Sequence, residues 1–141
     1  MQKLKYYAPR TIAAFIMLQT LYFKFGLGGE EALLESQNLF SAVALFLLGS
    51  SDFEWVLRVG TGIGELLASI LLFVPRYTRL GALLTIGVMF GAVMSHLIIL
   101  GIEVAGDGGF LFGMALVAML CGVWAYFWPA LKTLNHIKSF T

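Results

Sequence analysis

The 141-residue sequence has little charge, a single cysteine and only three prolines. Charged residues make up 12% of the chain, about half of the ~25% that is usual in soluble domains, so an ordinary soluble surface is excluded. The net charge of +1, without a basic helical stripe, argues against nucleic acid as a partner. A lone Cys121 within an apolar run excludes a disulfide framework and favours a buried, unreactive thiol.

Apolar residues dominate what is present: they form 60% of the chain, and the mean hydropathy is +0.89. This composition predicts one all-α domain over residues 1–141 whose surroundings are a lipid bilayer. The first apolar run is longer than the hydrophobic region of a signal peptide, and no clear cleavage site follows it, so we interpret it as a retained helix. Pro75 and Pro129 are expected to end two of the helices. The predicted transmembrane spans cover about 11–28, 55–74, 79–102 and 108–128.

A shorter apolar stretch lies in the long connection between the first two spans. Residues 39–48, within an acidic segment at 30–54, would rise only about 15 Å as a helix, half of the ~30 Å hydrocarbon thickness. The predicted fold is therefore a four-helix transmembrane bundle with a short interfacial or re-entrant helix between helices one and two.

The basic residues outside the spans cluster on one side of the predicted topology. Segments 1–10, 76–79 and 132–138 carry them, whereas the connections on the other side are acidic. The positive-inside rule then predicts a multi-pass protein with cytoplasmic N- and C-termini.

Small residues recur at four-residue spacing in three of the predicted spans. The sets are Gly60 with Gly64, Gly87 with Gly91 and Ser95, and Gly109 with Gly113. In membrane helices such spacing is typical of close helix contacts. We therefore expect all three stripes to face neighbouring helices.

Ionisable residues from several helices are predicted to gather in the outer half of the bundle. The candidate ligand-binding set, which includes a hydroxyl on the face shared by Arg58 and Glu65, is Lys24, Arg58, Thr61, Glu65, His96, Glu103 and Asp107. Intramembrane charge is costly and usually marks a functional site. The alternative is that these residues only hold helices together by salt bridges, which are weak in membranes.

Helix geometry predicts partners within this set. Arg58 should pair with Glu103 or Asp107 near the outer surface, with Lys24 joining them, and Glu65 should pair with His96 two turns deeper. Asp107 is also placed to cap the last helix.

Known cofactor chemistries fit this set poorly. A b-type haem would need a second intramembrane histidine, and His136 is predicted on the opposite side, so no haem is expected in a monomer. We predict no metal site, because Lys24 and Arg58 would compete for the carboxylates. The glycines at 60–64 do not form a dinucleotide fingerprint, since Glu65 occupies its last position.

Four motifs resemble the DoxX-like family of small bacterial membrane proteins. They are Gly-Thr-Gly-x-Gly-Glu-Leu at 60–66, Pro-Arg at 75–76, Ser-His-Leu at 95–97 and Leu-Gly-Ile-Glu-Val-x-Gly-Asp-Gly-Gly at 100–109. The similarity extends from about residue 11 to 128, and the segment at 41–54 is longer than the connection usual in the family. It implies a four-helix protein of the bacterial inner membrane, linked with membrane redox or sulfur and thiol stress systems. The family's polar positions fall on Arg58, Glu65, His96, Glu103 and Asp107.

Two classes of function follow from these observations. In the first, the bundle binds a quinone or a similar small molecule as the membrane partner of a redox protein, with Glu65 and His96 as proton carriers. In the second, the protein is a non-enzymatic assembly factor whose outer connection docks a client. Proton-coupled transport is a weaker third reading, because no inverted repeat is evident. Whether the protein is an enzyme, and whether it forms a homo-oligomer, stays open.

Overall fold

The computed structural model describes residues 1–138, with side chains except those of Gln2 and residues 129–138. The elements of this range are α-helices α1 (Gln2–Lys24), α2 (Glu30–Leu48), α3 (Glu54–Phe73), α4 (Thr78–Ser95) and α5 (Phe110–Lys138). A 3-10 turn at Ser51–Phe53 precedes α3, and a π-helical turn at His96–Leu100 extends α4. The predicted all-α fold class is confirmed.

Helix α1 extends over the full height of the bundle that it forms with α3, α4 and α5. At one end, Arg58 near the start of α3 donates through Nη1 to the Lys24 carbonyl oxygen at 2.7 Å. At the other end, the Trp124 indole of α5 donates to the Lys5 carbonyl oxygen at 3.1 Å. We call the end that holds Lys24 the outer end, and the end that holds Lys5 the inner end.

Helix α2 lies across the outer end of this bundle. It follows α1 after residues 25–29 and precedes α3 after residues 49–53. Because α1 ends and α3 begins at the outer end, both ends of α2 must lie there too. Its middle reaches the end of α1, since the Phe40 ring centroid is 5.5 Å from Lys24 Nζ. The predicted additional helix between helices one and two is therefore present.

Length and composition alone would choose a different set of spans. The four segments apolar and long enough to cross a membrane are Glu30–Leu48, Ser51–Phe73, Thr78–Leu100 and Phe110–Trp128. This set supports a multi-pass membrane protein, but it contains α2 and leaves out α1. The packing described above differs from this set, because α1 extends between the two ends of the bundle, whereas α2 begins and ends at the same end.

The boundaries predicted for three of the helices were wrong. Helix α2 has 19 residues rather than about ten, because Glu30 and Glu31 in its first turn interact favourably with the helix dipole and let it begin early. Helix α1 starts at Gln2 and stops at Lys24, followed by a turn in which Gly26 has φ +72°. Helix α5 continues through Pro129 to Lys138, since one proline removes a single backbone donor without ending the helix here.

The glycine stripes were also largely wrong as packing motifs. A Cβ atom added at Gly60, Gly87, Gly91 or Gly113 would meet nothing within 4 Å. The closest approach of two helices is instead at Gly81, where an added Cβ would lie 2.6 Å from the Leu72 backbone nitrogen. Helices α3 and α4 therefore touch beside their connecting turn, and they are also in contact further along, where an added Cβ at Gly64 would lie 3.3 Å from Val88.

Candidate functional site

A cavity of about 330 Å³ lies between the helices below α2. All five helices line it, and most of the lining side chains are apolar. Its floor includes Gly87 and Gly91, whose missing side chains leave the space open. Its polar groups are Thr20, Lys24, Thr61, Glu65, Ser95 and His96. The volume falls within the ~300–1,000 Å³ range of small-molecule sites.

A buried ion pair between α1 and α3 forms the polar centre of the cavity. Lys24 Nζ lies 2.6 Å from Glu65 Oε1, and the two residues are only 8% and 2% exposed. The Thr20 hydroxyl lies 2.8 Å from Glu65 Oε2, so each carboxylate oxygen has one partner. Because Thr20 and Lys24 are four residues apart on one helix, they face Glu65 together. The pair places two opposite charges in a low-dielectric site, and the net charge of the pair is zero.

Arg58 is held outside the cavity by local contacts. Its Nε donates to Glu54 Oε2 at 2.9 Å, one helical turn earlier, and its Nη1 donates to the end of α1. Thr61, one turn later, lines the cavity and donates its hydroxyl proton to the Leu57 carbonyl oxygen at 2.7 Å. Arg58 therefore joins α1 to α3, while Thr61 keeps only its acceptor capacity for a ligand.

His96 lies on the opposite wall of the cavity, at the start of the π-helical turn. The residue is 6% exposed, and its ring packs edge-on against Phe112 with centroids 5.9 Å apart. Its Nδ1 lies 2.9 Å from the carbonyl oxygen of Gly101, the residue that follows the π-helical turn. The wide turn thus fixes the orientation of the ring, and π-helical turns are frequent at functional sites.

Asp107 organises the loop between α4 and α5. Its carboxylate accepts hydrogen bonds from the backbone amides of Val104, Gly109 and Leu111 at 3.0, 2.8 and 2.9 Å. The predicted capping of the last helix is confirmed. The hydrogen bond from Leu111, followed by that from Val104, lowers the pKa of Asp107 below its ordinary value. Neither Asp107 nor the exposed Glu103 lines the cavity.

Replacing Asp107 by alanine should destabilise the protein by about 1 kcal/mol, as loss of a helix cap usually does. The carboxylate has a lower pKa when folded, so it stabilises the fold above its unfolded-state pKa, and this contribution is lost as pH falls through the lower folded value. Unfolding followed at several pH values should therefore show a smaller wild-type advantage below about pH 4. Glu103→Ala is the control, and an equal loss in both variants would contradict the capping role.

The predicted site residues thus gather at one end of the bundle, but with different partners. Lys24, Thr61, Glu65 and His96 line one cavity. The predicted pairs were wrong: within the described side chains, the ion pairs join Lys24 to Glu65 and Arg58 to Glu54. Glu65 and His96 face the same space without direct contact. A ligand-binding role for Arg58, Glu103 and Asp107 stays a prediction, since none of them lines the cavity.

Sequence reasoning missed Thr20 and the lining contributed by α2. Thr20 had a usable signal, because it precedes Lys24 by one helical turn on α1. The apolar residues Leu39, Phe40 and Val43 of α2 reach the cavity, and a hydropathy pattern does not separate such contacts from contacts with lipid. Among the side chains that the structure describes, no three of the types His, Cys, Asp and Glu lie together as metal ligands.

The chain was compared with family models, with curated proteins and with solved structures, and none of the three comparisons gives a match.

Proposed function

We propose that this multi-pass membrane protein is DoxX-like and binds a small lipid-phase molecule with a polar head, of the quinone class, in the outer-end cavity. The observation that carries the proposal is the buried Lys24–Glu65 pair facing His96 across a mainly apolar space. Such a space accepts an apolar ring or tail, while the few polar groups fix one orientation.

Two features favour a ligand over a purely structural role. A buried ion pair adds little net stability, since desolvation of both charges offsets their attraction, so adhesion alone is a weak reason to bury Lys24 and Glu65. The cavity is also lined by two glycines, Gly87 and Gly91, rather than by larger side chains that would narrow it. Both features are typical of a ligand-binding site.

The redox role is part of the same proposal. Carboxylate and imidazole side chains are common proton carriers in proteins, and Glu65 and His96 both line the cavity. A quinone bound between them could exchange protons with both walls of the cavity, while a partner protein in the bacterial inner membrane supplies or accepts the electrons. In this proposal both termini face the cytoplasm.

Filling the cavity tests ligand binding directly. Gly91→Leu places a side chain into the open space without a steric clash at Cβ, so we expect a fold close to wild type and at least about tenfold weaker binding of a decyl-chain benzoquinone, since that space would no longer be free. Binding would be measured on the full chain in lipid nanodiscs. Native mass spectrometry of the purified protein would show whether a bound molecule is lost as well.

The matched control is Gly60→Leu, on the exposed face of α3. It has equally open space at Cβ but does not line the cavity. Equal binding by wild type and Gly91→Leu, or no binding by wild type, would reject the proposal. If Gly91→Leu loses quinone binding but keeps its full function in cells, the result would instead favour the second class of function, a non-enzymatic assembly factor. Deletion of α2 does not separate the two functions, because α2 both covers the cavity and forms the outer surface.

A further inference from the structure

The cavity offers an unequal set of hydrogen-bonding groups to a ligand. The Lys24 ammonium has three N–H donors, and Glu65 is its acceptor among the described residues, so donors remain for a ligand oxygen. Lys24 Nζ also lies over the Phe40 ring, 5.5 Å from its centroid, and both residues line the cavity. This wall of the cavity therefore favours a ligand atom that accepts hydrogen bonds.

The opposite wall offers an acceptor. The Gly101 carbonyl oxygen can only accept, so the hydrogen bond at 2.9 Å requires His96 to carry a proton on Nδ1. In a neutral imidazole this leaves Nε2 as a bare acceptor. Nε2 has no hydrogen-bond partner among the described residues, while the ring lines the cavity. This wall favours a ligand group that donates.

From these two walls we infer that the site selects the reduced, hydroxyl-bearing form of its ligand, a hydroquinone, over the oxidised quinone; this inference rests on the proposed function. A hydroquinone can accept from Lys24 with one oxygen and donate to His96 Nε2 with the hydroxyl of the other. A quinone has only acceptors, so it satisfies Lys24 but covers Nε2 without donating a hydrogen bond to it. Leaving a buried acceptor unpaired weakens binding about 5- to 100-fold.

The preference for the hydroquinone follows from the position of His96 in the π-helical turn. The bond to Gly101 holds one tautomer and one ring orientation, so the acceptor is presented before any ligand arrives. Preorganised groups of this kind lose little freedom when a ligand binds. His96 therefore acts in binding through Nε2, and the turn determines which nitrogen is available.

The test compares three probes on the full chain in nanodiscs under anaerobic conditions: a decyl-chain hydroquinone, its quinone and its dimethyl ether. We expect the hydroquinone to bind at least about fivefold more tightly than the other two. His96→Asn keeps a side-chain amide where Nδ1 donates to Gly101 but removes the acceptor at Nε2. This variant should lose the preference for hydroquinone, whereas Glu31→Gln, an exposed position of α2 that does not line the cavity, should keep it.

Each outcome distinguishes the inference from the proposed function. If wild type binds none of the probes, the proposed function fails. If wild type binds all three equally, or if His96→Asn keeps the preference, the site still binds quinone-class molecules but the selection is rejected. The ether comparison on wild type needs no variant, so misfolding of His96→Asn would leave the test intact.

Discussion

Replacing Glu65 by leucine is expected to lower the free energy of unfolding by about 3–5 kcal/mol, the usual cost of removing one partner from a buried ion pair. The physical reason is the Lys24 ammonium, which is 8% exposed and has Glu65 as its ion-pair partner at 2.6 Å. Without the carboxylate, a cation is left in an apolar cavity and must lose its proton or draw water inside. Titration with SDS from mixed micelles, followed by circular dichroism, would measure the loss.

The double variant Lys24→Met with Glu65→Leu is the matched control. It removes both charges and replaces them with apolar side chains of comparable length, so most of the lost stability should return. A double variant as unstable as Glu65→Leu would mean that the pair itself, rather than an uncompensated charge, stabilises the bundle. That result would also weaken the argument that these charges are kept for a ligand.

Replacing Gly81 by alanine is expected to cost at least about 1–3 kcal/mol, the range found for overpacked interiors. The new Cβ would lie 2.6 Å from the Leu72 nitrogen and 2.8 Å from the Leu71 carbonyl carbon. Both neighbours are backbone atoms, so no side chain can rotate away, and α3 and α4 would have to separate beside their turn. The same unfolding titration would show the change.

Gly87→Ala, two turns later on the same helix, is the comparison. Its Cβ would meet nothing within 4 Å, so the gain in helix propensity, roughly 0.5–1 kcal/mol, should be seen without a steric penalty. The two alanine variants should therefore change stability in opposite directions. Equal effects at both positions would contradict the close approach at Gly81.

The sequence was sufficient for the architecture because hydropathy and charge act over whole segments. Long apolar runs, Pro75 between two of them and acidic residues around the extra helix were enough to predict four spans and one outer helix. Mean hydropathy over each whole helix does not separate α1 from α2 in this way, since charges at both ends of α1 lower its value. The prediction rested instead on the lengths of the apolar runs, and the contact of Arg58 with Lys24, which depends on tertiary packing, shows that α2 begins and ends at one end of the bundle.

The sequence predicted which end of the bundle holds the candidate site, but it did not predict which side chains pair there. Height along a helix follows from residue number, so Glu65 and His96 were correctly predicted to face one space in the outer half. Lys24 was predicted two turns higher, beside Arg58, but its side chain pairs with Glu65. The direction in which each side chain points depends on the rotation of its helix about the helix axis. A small error in that rotation assigns the side chain to the wrong partner. One partner was readable locally: Glu54 and Arg58 are four apart, the spacing of a helical ion pair. The glycine spacing gave a wrong prediction because glycine is found both where two helices touch and where they leave an open space.

Because α2 returns to the end from which it started, it adds length to the chain without adding a crossing. The protein therefore passes from one end of the bundle to the other four times, and its first and last helices meet at the inner end, where Trp124 contacts Lys5. A reporter fused to either terminus should label the same compartment, and one placed between α1 and α2 should label the opposite one. Insertions in the loops that flank α2 would leave this parity unchanged, so the covering helix can vary in length independently of membrane thickness.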